Sequence, residues 1–110
     1  MVLGRVRVAG HSMEPALQHG DEILYARLPP RVGSVVVARD PRDEMAPRLI
    51  VKRVAAVDGD DVILSSDHAG HESVLVRRRD LVGRAILRYR PSVRWISAPS
   101  SPHRSPAPIP

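Results

Sequence analysis

The chain predicts a mostly β fold, a small antiparallel barrel or a pair of sheets built from short strands. Three observations carry that expectation. Apolar residues alternate in short runs instead of recurring at helical spacing. Those runs are rich in valine and isoleucine, residues that fit a pleated, half-buried surface. Each run is closed by glycine, proline or aspartate, which is turn chemistry. At 110 residues the chain can bury one core but not two.

The elements follow in order. Residues 2–8 alternate less cleanly than an ideal strand and lead through Ala9-Gly10 to Ser12. Residues 14–19 could form one short helical turn, capped by Ser12 or its neighbours. Residues 21–28, 34–39, 49–57, 62–65, 74–76 and 82–89 read as strands. The breaks hold Gly20-Asp21, Pro29-Pro30, Gly33-Ser34, Pro41 with Pro47, and Gly59-Asp60-Asp61. Short strands at this density, with almost no helix, point to a closed or paired antiparallel sheet.

The last twenty residues differ in kind. Residues 91–110 hold six of the eleven prolines and five serines. Such a segment has too little apolar surface to offset the entropy of ordering it. The expected division is a domain over residues 1–90 and a Pro/Ser-rich flexible tail over 91–110, with Trp95 and Ile96 the last residues to dock.

Composition narrows the function classes. With one Trp, two Tyr and no Phe, the core is aliphatic, and zero cysteines exclude disulfides and cysteine-ligated metal. A net charge of +5 suits an anionic partner. The arginines are nevertheless dispersed except for Arg77-Arg78-Arg79, with no aromatic residues interleaved to stack bases, so no nucleic-acid partner is expected. His68 and His71 with Asp67 and Glu72 are metal-ligand types at close spacing. They form one polar loop without a second cluster, and neither a metal nor another cofactor is expected. His11 and His19 read as surface or packing residues, although His11 adjoins Ser12.

Lys52 is the only lysine beside 16 arginines. Arginine cannot lose its proton in a protein, whereas a buried lysine can, so a composition that uses Arg everywhere else suggests a need for a neutral amine at this position. Lys52 stands mid-strand in Leu49-Ile50-Val51-Lys52-Arg53-Val54. Alternation puts Ile50, Lys52 and Val54 on one face and Val51, Arg53 and Ala55 on the other. Lys52 is therefore expected to be dry and Arg53 to reach water. A serine hydroxyl is a weak nucleophile that needs an adjacent base, and Ser12 in Ser12-Met13-Glu14-Pro15 is the candidate.

Four segments occur in a telling order: Gly10-His11-Ser12-Met13-Glu14-Pro15-Ala16-Leu17, Gly20-Asp21-Glu22-Ile23-Leu24, Val51-Lys52-Arg53-Val54 and Leu81-Val82-Gly83-Arg84-Ala85. This series resembles the type I signal peptidase family, Ser/Lys serine peptidases that share a β-fold with LexA-like self-cleaving repressors. The resemblance implies a LexA/signal-peptidase-like fold, Ser12 as nucleophile, and Lys52 as general base and later general acid. Met13 and Pro15 would shape the turn and line the substrate cleft, with the Ser12 backbone N–H as an oxyanion donor. Some members add a serine hydroxyl two residues before the nucleophile; here that residue is Gly10. The family's Ser-x-Asp-Ser-Arg segment is also reduced, to Leu64-Ser65-Ser66-Asp67-His68-Ala69-Gly70-His71-Glu72-Ser73. Ser66-Asp67 is its best remnant, with Ser66 placed to hydrogen-bond Lys52.

The implied partner is a protein or peptide bound in extended form. No apolar run is long enough for the helix of about 20 residues that spans a membrane, which points to a cytoplasmic member. The chain is most similar to small nickel-type superoxide dismutase maturation proteases, whose Leu-Arg-Tyr-x-Pro ending matches Leu87-Arg88-Tyr89-Arg90-Pro91. That similarity implies removal of a short N-terminal pro-segment, the nickel belonging to the substrate. The alternatives are a membrane-type signal peptidase lacking its N-terminal anchor, an inactive binding module of the same fold, and a LexA-like autoprotease cutting near Ala9-Gly10 or Ala69-Gly70.

Overall fold

The computed structural model describes residues 3–42, 48–70 and 72–96. Pro47, His71 of the candidate metal loop, and residues 97–110 of the expected tail lie outside the described residues. Among those described, the strands are β1 (Leu3–Arg7), β2 (Glu22–Ala26), β3 (Val35–Arg39), β4 (Leu49–Asp58), β5 (Asp61–Ser65), β6 (Val74–Arg77), β7 (Leu81–Arg90) and β8 (Arg94–Trp95). All pairings are antiparallel. They form one sheet in the order β1-β2-β7-β3-β4-β5-β6, with β8 on β7. The sheet curls into a half-barrel.

The central strand β3 shows why one sheet suffices. Val35 and Val37 point into a cluster with Val8, Met13, Leu17, Ile23, Val51 and Ala85. Val36 and Ala38 point the other way, into a cluster with Val54, Val62, Leu64, Val74 and Val76. Each fully buried valine contributes about 1.5–3 kcal/mol. A strand buried on both faces reads as a continuous apolar run, as Val35-Val36-Val37-Ala38 does. A charge at Val37, which is 0% exposed, would have no compensating partner.

Gly83 lets β7 lie close against β2. A Cβ there would stand 2.6 Å from the Tyr25 ring and 2.7 Å from the Ala26 carbonyl oxygen, so the Leu81-Val82-Gly83-Arg84-Ala85 motif has a packing reason for its glycine. The segment after Ser12 makes one isolated turn of helical type and no continuous helix. Among the described residues the segment has a single i→i−4 bond, from the Leu17 N–H to the Met13 carbonyl at 2.9 Å. It is held by the side chains of Met13 and Leu17, each 1% exposed. Tertiary burial thus sets its shape.

The sheet reaches further along the chain than the expected tail boundary. Arg94 and Trp95 pair with Arg88 and Leu87. Ile96 packs on the first cluster, while Trp95 remains 74% exposed. Arg94 donates to the Ala16 carbonyl, bracing the turn that follows Ser12.

Candidate active site

Strand β4 changes neighbours halfway along. On one side it pairs with β3 from Leu49↔Arg39 to Arg53↔Val35. On the other, β5 joins only at Arg53↔Ser65. From Leu49 to Lys52 that outer edge has no strand partner among the described residues. Facing it is the outer side of β1, the end strand of the sheet, whose chain continues through Val8, bonded on its inner side to Asp21 and Gly20, to Ala9. Between the two lies a cavity of about 220 Å³. One wall is Arg7, Val8, Ala9 and Ser12; the other is Arg48 to Lys52, with Asp40 and Arg42.

Ser12 and Lys52 therefore share one cavity. The Lys52 Nζ donates to Ser66 Oγ at 2.8 Å. Burial pushes the Lys52 ammonium below its usual range, with the Arg42 charge adding to that and Asp40 opposing it. Among the described residues no hydrogen bond joins Ser12 Oγ to Lys52 Nζ. The Ser12 backbone is fixed through its carbonyl, which accepts from the His68 N–H at 2.8 Å. The Ser12 N–H has no acceptor among the described residues.

Arg53 corrects the sequence reading. It is mostly covered instead of solvated: its side chain is 15% exposed and that of Asp67 19%. Arg53 Nε donates to Asp67 Oδ1 at 2.9 Å and NH2 to Oδ2 at 2.7 Å, while NH1 reaches the Gly33 carbonyl at 2.9 Å. A fork on both carboxylate oxygens is the strong geometry for this pair. Three successive residues thus organise the region: Ser66 holds Lys52, Asp67 holds Arg53, and His68 holds Ser12.

The remaining candidates separate by place. Gly10 has φ +86, a left-handed conformation that side chains rarely adopt, which accounts for the glycine. Its N–H donates to His19 Nδ1 at 2.9 Å. That acceptor role puts the His19 proton on Nε2, leaving neither nitrogen free to ligate a metal. His11 is 67% exposed, its Nδ1 2.6 Å from Glu14 Oε2. Met13 sits in the core and not in the cleft wall, so it anchors the turn after Ser12 from beneath. No group of three or more potential metal ligands occurs among the described residues.

Sequence reasoning missed the Asp40–Arg42 pair in the cavity wall. Arg42 grips both oxygens of Asp40 at 2.8 and 2.9 Å, holding the carboxyl at about 2. The available signal was two opposite charges flanking Pro41, which read only as a turn.

A hydroxyl and a partly desolvated amine lining a cleft between two free strand edges form an arrangement suited to attack on an extended peptide. No helix among the described residues is long and apolar enough to cross a membrane. No curated protein matches the chain by sequence. The sequence profile described as signal peptidase, peptidase S26, matches residues 1–79. The order of motifs, the antiparallel fold and this match lead to one conclusion: the chain belongs to the signal peptidase family, peptidase S26.

Proposed function

We propose that the chain is a serine endopeptidase in which Ser12 is the nucleophile and Lys52 its base, and that it removes a short N-terminal pro-segment from a nickel-type superoxide dismutase precursor. The observation that carries the dyad is the shared cavity. Ser12 and Lys52 line it together, and Lys52 is held by a neutral hydroxyl in surroundings that favour the amine.

The mechanism follows from those groups. A substrate strand lies along the free edge of β4 from Leu49 to Lys52, facing Val8 and Ala9. Lys52 Nζ takes the proton as Ser12 Oγ attacks the scissile carbonyl carbon. The Ser12 N–H faces the developing oxyanion; one such donor is typically worth about 2.7–4 kcal/mol. When the C–N bond breaks, the Lys52 ammonium returns the proton to the leaving amine. A water deprotonated by Lys52 then hydrolyses the acyl ester and regenerates Ser12. Ser66 keeps the amine oriented throughout, and the dyad, not bonded in the free protein, closes when substrate excludes water.

The choice of substrate rests on the likeness of Leu87-Arg88-Tyr89-Arg90-Pro91 to the maturation proteases, and the expectation is cleavage after a small residue in an unstructured segment. Incubating the protein with a dismutase precursor and weighing the product tests it. A new N-terminus after a small residue is the expected result. An unchanged precursor removes the maturation assignment, and cleavage of a signal-peptide substrate instead makes the protein a membrane-type signal peptidase in specificity.

A further inference from the structure

Asp40 is a buried carboxylate in the wall of the Ser12–Lys52 cavity that the mechanism above does not use. Its place follows from strand register. Val36 pairs with Lys52 and Ala38 with Ile50. One step beyond, the Asp40 N–H donates to the Arg48 carbonyl at 2.9 Å. Residues opposite one another in an antiparallel ladder share a face, as do residues two apart along a strand. Asp40 and Lys52 therefore stand on the same side of the sheet, at the two ends of one short row.

A carboxylate in that position acts against a lysine base, because a nearby anion favours the ammonium. Arg42 closes on it. Besides the two guanidinium bonds, the Arg42 backbone N–H donates to Asp40 Oδ1 at 3.0 Å. Asp40 is 3% exposed in this pair and Arg42 55%, so the anion is enclosed while its partner reaches the cavity mouth. Arginine cannot surrender its proton to the pair, as lysine could.

The other charges around Lys52 have different places. Arg48 immediately precedes β4 and Arg7 ends β1, both in the cavity wall. Arg7 stands 3.8 Å from Glu22. From the β5–β6 connection come His68 and Glu72, the latter close enough to Arg42 to stabilise its charge. Asp67 is occupied by Arg53.

We propose that Asp40 and Arg42 form a charge counterweight for Lys52: the carboxylate alone would hold the ammonium form, and Arg42, clamped onto it, cancels that pull and leaves the amine free to be neutral. The two are positioning residues that act through Lys52, and this rests on reading Lys52 as the base. The opposed influences of Arg42 and Asp40 on the Lys52 proton agree with it.

The sole lysine makes the test direct. Protein grown on lysine labelled with carbon-13 at Cε gives one side-chain signal, whose shift against pH reports Lys52 without any substrate. Arg42→Gln is expected to move the titration up by about half to one pH unit, and Asp40→Asn to move it down by a similar amount. The double variant Asp40→Asn with Arg42→Gln should return close to the parent. If the two single variants leave the midpoint unmoved or shift it in the same direction, the pair is only a staple for the β3–β4 connection and the proposal is overturned. Because the reading needs no activity, its failure is distinct from that of the dyad, which is decided by the activity of Lys52→Arg.

Discussion

Lys52 and Arg53 are adjacent cations on one strand, yet the fold treats them in opposite ways. Lys52 faces a hydroxyl, Ser66, in a wall where desolvation disfavours its charge. Arg53 faces a carboxylate and a carbonyl on the other side of the sheet, where its charge is fully satisfied. Both partners come from one dipeptide, Ser66-Asp67. A neutral partner leaves a proton free to move, whereas an ionic partner fixes it, so the same loop builds a chemical face and a structural face. Asp40–Arg42 repeats the second pattern: the charged partner again is arginine.

The largest test of that division is on the chemical face. Lys52→Arg and Ser12→Ala should each reduce peptidase activity by about 10⁴-fold or more with unfolding temperatures near the parent's. An active Lys52→Arg enzyme would remove the lysine from the mechanism. Next, Ser66→Asp gives Lys52 the kind of partner Arg53 has. A carboxylate raises the lysine pKa, so the base stays protonated to higher pH, and the acidic limb of kcat/KM should move up by about 1–3 pH units. An unmoved limb would show that the identity of the partner does not matter.

On the structural face, Asp67→Asn should destabilise by about 2–3 kcal/mol, below the range for a fully buried pair because both groups retain some exposure. Thermal unfolding measures this, and activity per folded molecule should stay within a few-fold. Loss of activity at unchanged stability would merge the two faces. The smallest effect concerns acid. Asp40 has a depressed pKa of about 2 against 3.8 unpaired. Its contribution is therefore present above pH 4 and is lost as pH falls from about 4 to about 2. With Arg42 half exposed, it amounts to about 1–2 kcal/mol. Asp40→Asn should flatten that part of the stability profile in acid unfolding.

Much of this was legible in the sequence. Period-two alternation and turn residues locate the strands, because burial of one face or both writes itself directly into residue type. The likeness to signal peptidases reached Ser66. Arg53 was misjudged because alternation assigns faces and not exposure, and both faces of the sheet are covered here; its partner is set by register. The turn at Gly59-Asp60 sets Asp58 opposite Asp61. Counting straight back from there would place Lys52 opposite Asp67 and Arg53 opposite Ser66. The ladder shifts between Val54 and Ala56, so Arg53 instead pairs with Ser65. A β-bulge of one residue exchanges every partner beyond it, and Ala55 carries no mark that announces one. The single helical turn after Ser12 was legible, but not what stops it from continuing. Its local sequence allows the turn, and packing of Met13 and Leu17 sets its shape.

The three contacts of Ser66-Asp67-His68 also differ in the distance they span along the chain. Those to Lys52 and Arg53 join residues 14 positions apart, inside a single hairpin. The bond from His68 to Ser12 joins segments separated by about half the chain. Between β1 and β4 in the sheet stand β2, β7 and β3, so nothing brings Ser12 to the hairpin until those strands are laid side by side. Loop-closure entropy delays such distant contacts relative to local ones. The lysine half of the cavity can thus form early, while the serine half arrives only with the finished fold. A partly unfolded copy of this protein therefore lacks the cavity in which Ser12 and Lys52 meet.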